Sequence, residues 1–275
     1  MGRSGKRILF SRRDDWEAGM RSALKAHDPH FLEFDAADPE RFDLIVPTRL
    51  QDARYFNRNF AHLNGVKALV PSDEAIDACD QKREFVRRLA AHGFSRYLPA
   101  WGDDLGYPYL LKRNVCEWGV DIHIIDGAEA EAAHRHELES DEYLKQEYID
   151  GRTEYTTHLL MAAGRNVFMR SVEFGFTESL YVKGKCFQHA SRAQVDHQRY
   201  SALFEDVMNC FDFQGFCCFN YKLVDGVPKI FEVNPRYGAS MTLFLAEAID
   251  TLQRSLRGAG GSGVGRWLSG FYSRA

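Results

Sequence analysis

One strand-like segment near the end of the chain, 228–234, carries a carboxylate and an amide on the same face. Glu232 and Asn234 are two residues apart, and residues with that spacing share one side of an extended strand. Their neighbours are apolar, and an unpaired carboxylate is costly in such a setting. Arg236 follows as a fixed positive charge. The pattern predicts a cation site beside an arginine; a solvated sheet face and a buried ion pair are its structural alternatives.

The preceding strand-like segment supplies a third polar residue, Asn220. An Asp-Gly pair at 225–226 separates the two segments and predicts a hairpin. With an odd-length loop, such as 225–227, Asn220 lies directly opposite Glu232, and three oxygen-bearing side chains converge. Oxygen ligands of this kind suit Mg²⁺. A two-residue loop would oppose Asn220 to Phe231 instead, so the prediction depends on the register of the hairpin.

Three further segments precede the hairpin. The first, 80–82, ends in a lysine that begins a helix-like run, and the second, 107–113, is an apolar strand-like run with Lys112 near its end. The third, 146–156, contains an Asp-Gly turn that brings Glu154 back toward the strand before it. The first two segments are weak by themselves, because a lysine in such a place is ordinarily solvated, whereas the third is more specific.

In this order, the four segments resemble the landmarks of the ATP-grasp superfamily, above all its carboxylate–amine ligases and its carbamoyl-phosphate-synthetase-like branch. The resemblance runs from about Lys82 to Ser240. It implies phosphate binding by Lys82 and Lys112, adenine contacts from Glu147, Tyr148 and Ile149, ribose binding by Glu154, metal binding by Asn220, Glu232 and Asn234, and catalytic roles for Lys112 and Arg236.

The same resemblance implies the reaction and its cofactors. ATP and one or two Mg²⁺ ions, with Mn²⁺ as an alternative, would serve an ADP-forming ligase. A carboxylate would be activated as an acyl phosphate and joined to an amine, and the protein would contribute mainly position and positive charge. Transfer to an acceptor other than an amine is a further possibility. A degenerate nucleotide-binding protein with a regulatory or scaffold role is the alternative from another class.

One segment departs from the family pattern. After the second lysine, a glycine-rich flap is expected to cover the phosphates through its backbone N–H groups. Residues 113–120 contain only Gly119, while Arg113 stands in place of a proline and Glu117 adds a negative charge. We expect Arg113 to take over part of the charge neutralisation, the flap to be ordered only by substrate, or the nucleotide site to be impaired.

The substrate pocket is less legible than the nucleotide site. Segments 170–185 and 189–192 are its candidates. Arg170 and Arg192 could clamp a carboxylate, and His189 could be a polar neighbour.

Around these residues, alternating strand-like and helix-like runs predict an α/β and α+β chain. The fold class is an ATP-grasp fold, two α+β subdomains that grip ATP, preceded by a small Rossmann-like parallel α/β domain. The predicted strands of that domain are 7–11, 30–36, 42–48 and 67–72. The predicted units are 1–75, a small lid subdomain 76–150, a subdomain with the metal site 151–257, and a Gly-rich linker with a tail, 258–275.

Composition excludes several classes of protein. The chain has 275 residues, 45% hydrophobic and 27% charged, and a net charge of −4, which argues against a nucleic-acid binder. No run approaches the roughly 20 apolar residues of a membrane span, and no signal-peptide core follows the basic start. We expect a cytoplasmic protein that binds small-molecule carboxylates and amines, without nucleic-acid or membrane partners; a homodimer remains open.

Overall fold

The computed structural model describes residues 5–115, 121–184 and 189–259. Its strands are β1 (Arg7–Ser11), β2 (Asp28–Leu32), β3 (Leu44–Val46), β4 (Tyr109–Arg113), β5 (Ile122–Ile125), β6 (Tyr143–Glu147), β7 (Thr153–Ala162), β8 (Arg165–Gly175), β9 (Ser191–Val195), β10 (Gly215–Val224) and β11 (Val227–Asn234). Its α-helices are α1 (Asp14–Ala23), α2 (Leu50–Asn59), α3 (Asp73–Asp80), α4 (Lys82–Ala91), α5 (Ala128–Ala133), α6 (Arg135–Leu138), α7 (Ser201–Asn209) and α8 (Leu245–Ala259). Within these ranges, no helix combines the length and the apolar character needed to cross a membrane.

The first sheet is parallel and has the order β2-β1-β3, which confirms the predicted N-terminal α/β layer. The prediction of a fourth strand at 67–72 is wrong. Val70 donates its N–H to the side-chain oxygen of Asn64 and accepts from the same amide group, both at 3.0 Å. Pro71 has no N–H to offer a ladder. The segment still buries Ala68 and Val70, because burial needs only an extended chain beside the core.

The second sheet is antiparallel, with the order β5-β4-β6. Alternation along β4 gives it two different faces. Tyr109 and Leu111 are buried and pack with Ile125 against residues of α5 and α6. Leu110 and Lys112 point to the opposite face, which remains available for a ligand.

The third sheet is antiparallel and has the order β11-β10-β7-β8-β9. On β10, which lies between β11 and β7, Phe219 and Tyr221 are fully buried against Phe204 of α7. The intervening residues, Asn220 and Lys222, must therefore project from the other face. This alternation places Asn220 and Lys222 on the face away from α7.

Two helical runs are each interrupted. The helix-like run that contains Lys82 divides at Gln81, whose ψ is 104°, into α3 and α4, and a second run divides at His134 into α5 and α6. At the first break, the N–H of Lys82 bonds to the carbonyl of Asn114 at 3.1 Å. The break therefore ties the start of α4 to the end of β4 and leaves Lys82 buried, with 4% of it exposed.

A 3-10 turn precedes the last helix. It spans Ala239–Phe244, and α8 begins at Leu245, so Ser240 does not stand at the start of the α-helix, where a serine often acts as a cap. The hydroxyl of Ser240 lies 2.7 Å from Nε2 of His158. This serine therefore bonds to a neighbouring strand and does not cap the helix.

Candidate active site

The hairpin β10–β11 has the expected pairing of Asn220 with Glu232, but its loop differs from the predicted one. Val224 pairs with Val227, so the loop has two residues, Asp225 and Gly226, with φ of 50° and 75°. The odd-length loop is therefore wrong. A β-bulge between Asn220 and Tyr221 makes Phe231 the extra residue and restores the pairing of Asn220 with Glu232.

Glu232 is the centre of a polar row on this face of the sheet. Its Oε1 accepts hydrogen bonds from Nδ2 of Asn220 at 2.7 Å and from Nδ2 of Asn234 at 3.2 Å. Nη2 of Arg236 in turn donates to Oδ1 of Asn234 at 3.3 Å. The hairpin thus holds a carboxylate, two amides and a guanidinium in one connected network.

Two buried lysines keep Glu232 charged. Burial by itself raises the pKa of this carboxyl group, but the positive charges of Lys82 and Lys112 and the two amide hydrogen bonds outweigh burial, and the pKa is lowered overall. The lysines are 4% and 3% exposed. Two predicted phosphate lysines and the predicted metal ligand therefore form one electrostatic unit.

Lys183 joins this row, although its role was not predicted from the sequence. Its Nζ lies 2.7 Å from Oε1 of Glu154, 2.8 Å from the hydroxyl of Thr156 and 3.0 Å from Oδ1 of Asn220. It falls within the segment 170–185 that was singled out only for substrate. A lysine after buried Tyr181 and Val182 and before a glycine was the available signal.

The other end of the row is aromatic and holds a buried cation. Nζ of Lys222 donates to the carbonyl of Ile149 at 2.7 Å and lies over the rings of Tyr181 and Tyr148, 4.4 and 4.9 Å from their centroids. Burial lowers the pKa of Lys222 to about 8, and the nearby charges of Glu154 and Asp150 oppose that shift only in part.

These residues surround one cleft with about 570 Å³ of empty space, part of it open to solvent. The lining residues are Leu110, Lys112, Ile122, Glu147, Tyr148, Ile149, Glu154, Tyr181, Val182, Lys183, Asn220, Lys222, Phe231 and Glu232. Seven of the predicted site residues are among them, and Lys82, Asn234 and Arg236 adjoin the cleft through Glu232 and its hydrogen bonds.

The predicted substrate residues lie elsewhere. Arg170 forms a bidentate ion pair with Glu247 of α8, so its guanidinium is already engaged by a carboxylate. Arg192 is exposed on β9, and the ring of His189 stands edge-on to Phe174 with centroids 5.2 Å apart. The three residues are not part of the cleft lining, and their proposed substrate roles gain no support from it.

The structure also gives no support to the expectation that Arg113 neutralises phosphate charge. Arg113 is exposed and pairs with Glu142 at 2.9 Å and Asp121 at 3.5 Å. Since Lys112 points into the cleft, its neighbour on the strand must point away. Residues 116–120, including Glu117, lie outside the described residues.

Lys222 offers a test of the buried cation in the cleft. Its native pKa is about 8 and its ordinary value 10.5, so the unfolded chain binds more protons between these values and stability rises with pH there. Lys222→Met should raise the free energy of unfolding less near pH 9.5 than near pH 7, and the two increases should differ by about 2 kcal/mol. Urea unfolding at both pH values measures the difference. Lys229→Met is the control, and an equal gain at both pH values would contradict a neutralised native lysine.

Comparison with known proteins bears on the fold. No protein-family model matches the chain, and neither does any curated protein. Among solved structures, D-alanine–D-alanine ligase from Bacillus anthracis is similar at 14% identity and a TM-score of 0.61, over 94% of this chain and 99% of that one. Another structure of that enzyme contains ATP.

Two further structures have the same arrangement. Phosphoribosylamine–glycine ligase from Thermotoga maritima matches at 15% identity and a TM-score of 0.70, over 92% of this chain and 75% of that one. L-amino acid ligase from Bacillus licheniformis matches at 17% identity and a TM-score of 0.56, over 94% of this chain and 74% of that one. The chain has the ATP-grasp fold, preceded by a small parallel α/β layer.

Proposed function

We propose that the protein is an ADP-forming, ATP-dependent ligase that activates a small carboxylate as an acyl phosphate and joins it to an amine. The observation that carries the proposal is the cleft itself. At one end it presents an ionised carboxylate among buried cations, and at the other end it presents aromatic and aliphatic side chains. A nucleoside triphosphate needs both ends, cations for its phosphates and an apolar wall for its base.

ATP fits the cleft in one direction. Its base would lie against Tyr148, Ile149 and Tyr181, where the wall is apolar and backbone groups are near. Glu154 would accept hydrogen bonds from the ribose hydroxyls. In the structure Glu154 is paired with Lys183, so a bound nucleotide would draw that lysine toward the phosphates and free the carboxylate.

The residues around Glu232 fit Mg²⁺. One ionised carboxylate and two amide side chains are hard oxygen donors, and Mg²⁺ is usually held by one or two carboxylates together with substrate phosphates. Glu232 would hold the ion, and the amides of Asn220 and Asn234 could turn their oxygens toward it. A single carboxylate favours one ion that arrives with the nucleotide over two. When bound, the ion would neutralise phosphate charge.

In the proposed reaction, an oxygen of the substrate carboxylate attacks the γ-phosphorus of ATP, and ADP leaves. The nitrogen of the amine then attacks the acyl carbon, and inorganic phosphate leaves as the amide forms. Lys82 and Lys112 would hold the phosphates in line. Arg236, which is 8% exposed and fixed by Asn234 and the carbonyl of Tyr237, would stabilise charge on the transferring group.

The test is ADP formation from ATP and Mg²⁺ with a panel of acids and amines. We expect ADP release only when a matching acid and amine are both present, with a product heavier than the acid by the amine minus water. Nucleotide binding is followed in parallel as a rise in melting temperature with ATP and Mg²⁺. Product mass also separates amide formation from transfer to another acceptor.

Two other outcomes reject the proposal in different ways. ATP binding without turnover for any acid or amine would favour the degenerate nucleotide-binding alternative, which the glycine-poor segment 113–120 motivates. Absence of both binding and turnover would reject the nucleotide site as well.

A further inference from the structure

Three potential metal ligands meet on the helix-covered face of the β5-β4-β6 sheet, away from the cleft. They are His123 of β5, His134 between α5 and α6, and Glu137 of α6. One ligand atom from each lies within 4.8 Å of the other two. The rings of the histidines are 4.1 Å apart between centroids, and Nδ1 of His134 is 3.7 Å from Oε1 of Glu137.

His134 carries an unsatisfied buried atom within this group. Its Nδ1 is inaccessible to solvent and has no hydrogen-bond partner. A buried polar atom without a partner destabilises the fold, and such atoms are rare in native proteins. The backbone of His134 is fixed at the junction of α5 and α6, where its N–H bonds to Ala130 and its carbonyl accepts from Leu138. The unsatisfied atom is therefore held in place beside Glu137.

We propose that His123, His134 and Glu137 bind a divalent transition metal ion of the zinc class. Two imidazoles and one carboxylate form a donor set that such ions prefer, and three protein ligands leave one position for water. Bonds of about 2.0–2.1 Å place tetrahedral ligand atoms about 3.3 Å apart. The 3.7 Å contact is near that value, and small side-chain rotations would bring in the third ligand.

Such an ion would fasten the α5–α6 junction to β5. Along β5, His123 and the cleft-lining Ile122 are consecutive and face opposite sides. The metal would therefore stabilise β5 from the face opposite the cleft, whose wall includes Ile122. The proposal does not depend on what the cleft binds.

Zn²⁺ titration of the full, untagged chain after treatment with a chelator tests the proposal. We expect one Zn²⁺ per chain by calorimetry and by competition with a chromophoric chelator. His123→Asn and His134→Asn should each weaken binding at least about tenfold, because each removes a direct ligand. Zn²⁺ should also raise the melting temperature of the unaltered chain and not that of either variant.

His136→Asn is the matched control, because His136 is exposed two residues from His134 and is not part of the ligand group. Its Zn²⁺ affinity should equal that of the unaltered chain. Glu137→Gln provides a third variant if a histidine replacement fails to fold, as judged by circular dichroism. Absence of stoichiometric binding, or equal binding by the ligand variants and His136→Asn, would overturn the proposal.

Discussion

Replacing Glu232 with glutamine is expected to abolish the effect of Mg²⁺ on ATP binding and to lower the rate of ADP formation by about 100-fold or more. Glutamine preserves the shape of the side chain and can still accept the amide hydrogen bonds. It removes the negative charge that Lys82 and Lys112 hold ionised. Calorimetric ATP titrations with and without Mg²⁺ measure the first effect, and ADP release with the acid–amine pair from the panel measures the second.

Glu139→Gln is the control for this prediction, because Glu139 is an exposed residue at the end of α6. Its ATP affinity and ADP release should match those of the unaltered protein. The melting temperature without ligand shows whether Glu232→Gln remains folded. If the folded variant binds ATP more tightly with Mg²⁺ by the same factor as the unaltered protein, Glu232 does not hold the metal.

The hairpin shows how far sequence can predict a site. The spacing of Glu232 and Asn234 and the Asp-Gly turn were sufficient to predict the contact with Asn220. The loop length used to reach that contact was wrong, and a bulge at Phe231 compensated for it. Composition does not reveal which residue of a strand is extra, because a bulge depends on how the neighbouring strand fits.

Residues outside these ordered segments were harder to assign. Lys183 lies beside Glu154 only because the chain after β8 returns across β7, and no spacing in the sequence links the two residues. The substrate role predicted for Arg170 gains no support from the structure, for a related reason. An arginine in a strand-like segment could face a substrate, but Glu247 of a distant helix pairs with it. Both outcomes depend on tertiary contacts between elements that are remote in sequence.

Several of the predicted residues that line the cleft share one sheet face. Asn220 and Lys222 alternate with Phe219 and Tyr221, which are fully buried on the other side. Glu154, Thr156 and Lys222 are also buried on this face, so a second layer must cover it there. The β5-β4-β6 sheet contributes Lys112 to that layer, and the cleft lies between the two sheets.

Lys112→Met tests whether that second sheet supplies a phosphate contact. We expect the dissociation constant for ATP to rise about 10- to 100-fold, the usual range for a lost hydrogen bond to a charged group. Adenosine has no phosphates, so its affinity should not change. The pKa of Glu232 should also rise, because Lys112 is one of the two cations that lower it. When the pH is lowered, the variant should therefore lose Mg²⁺-dependent ATP binding at a higher pH than the unaltered protein does.

Lys145→Met separates this contact from the general loss of a positive charge on the sheet. Lys145 of β6 pairs with Leu111 of β4 and lies over the ring of Tyr109, so it occupies the opposite face of the same three strands. ATP and adenosine should bind this variant as they bind the unaltered protein. An equal loss of both ligands in Lys112→Met would mean that the replacement distorts the cleft. Unchanged ATP binding would mean that Lys112 does not contact the phosphates, and its charge would then serve Glu232 alone.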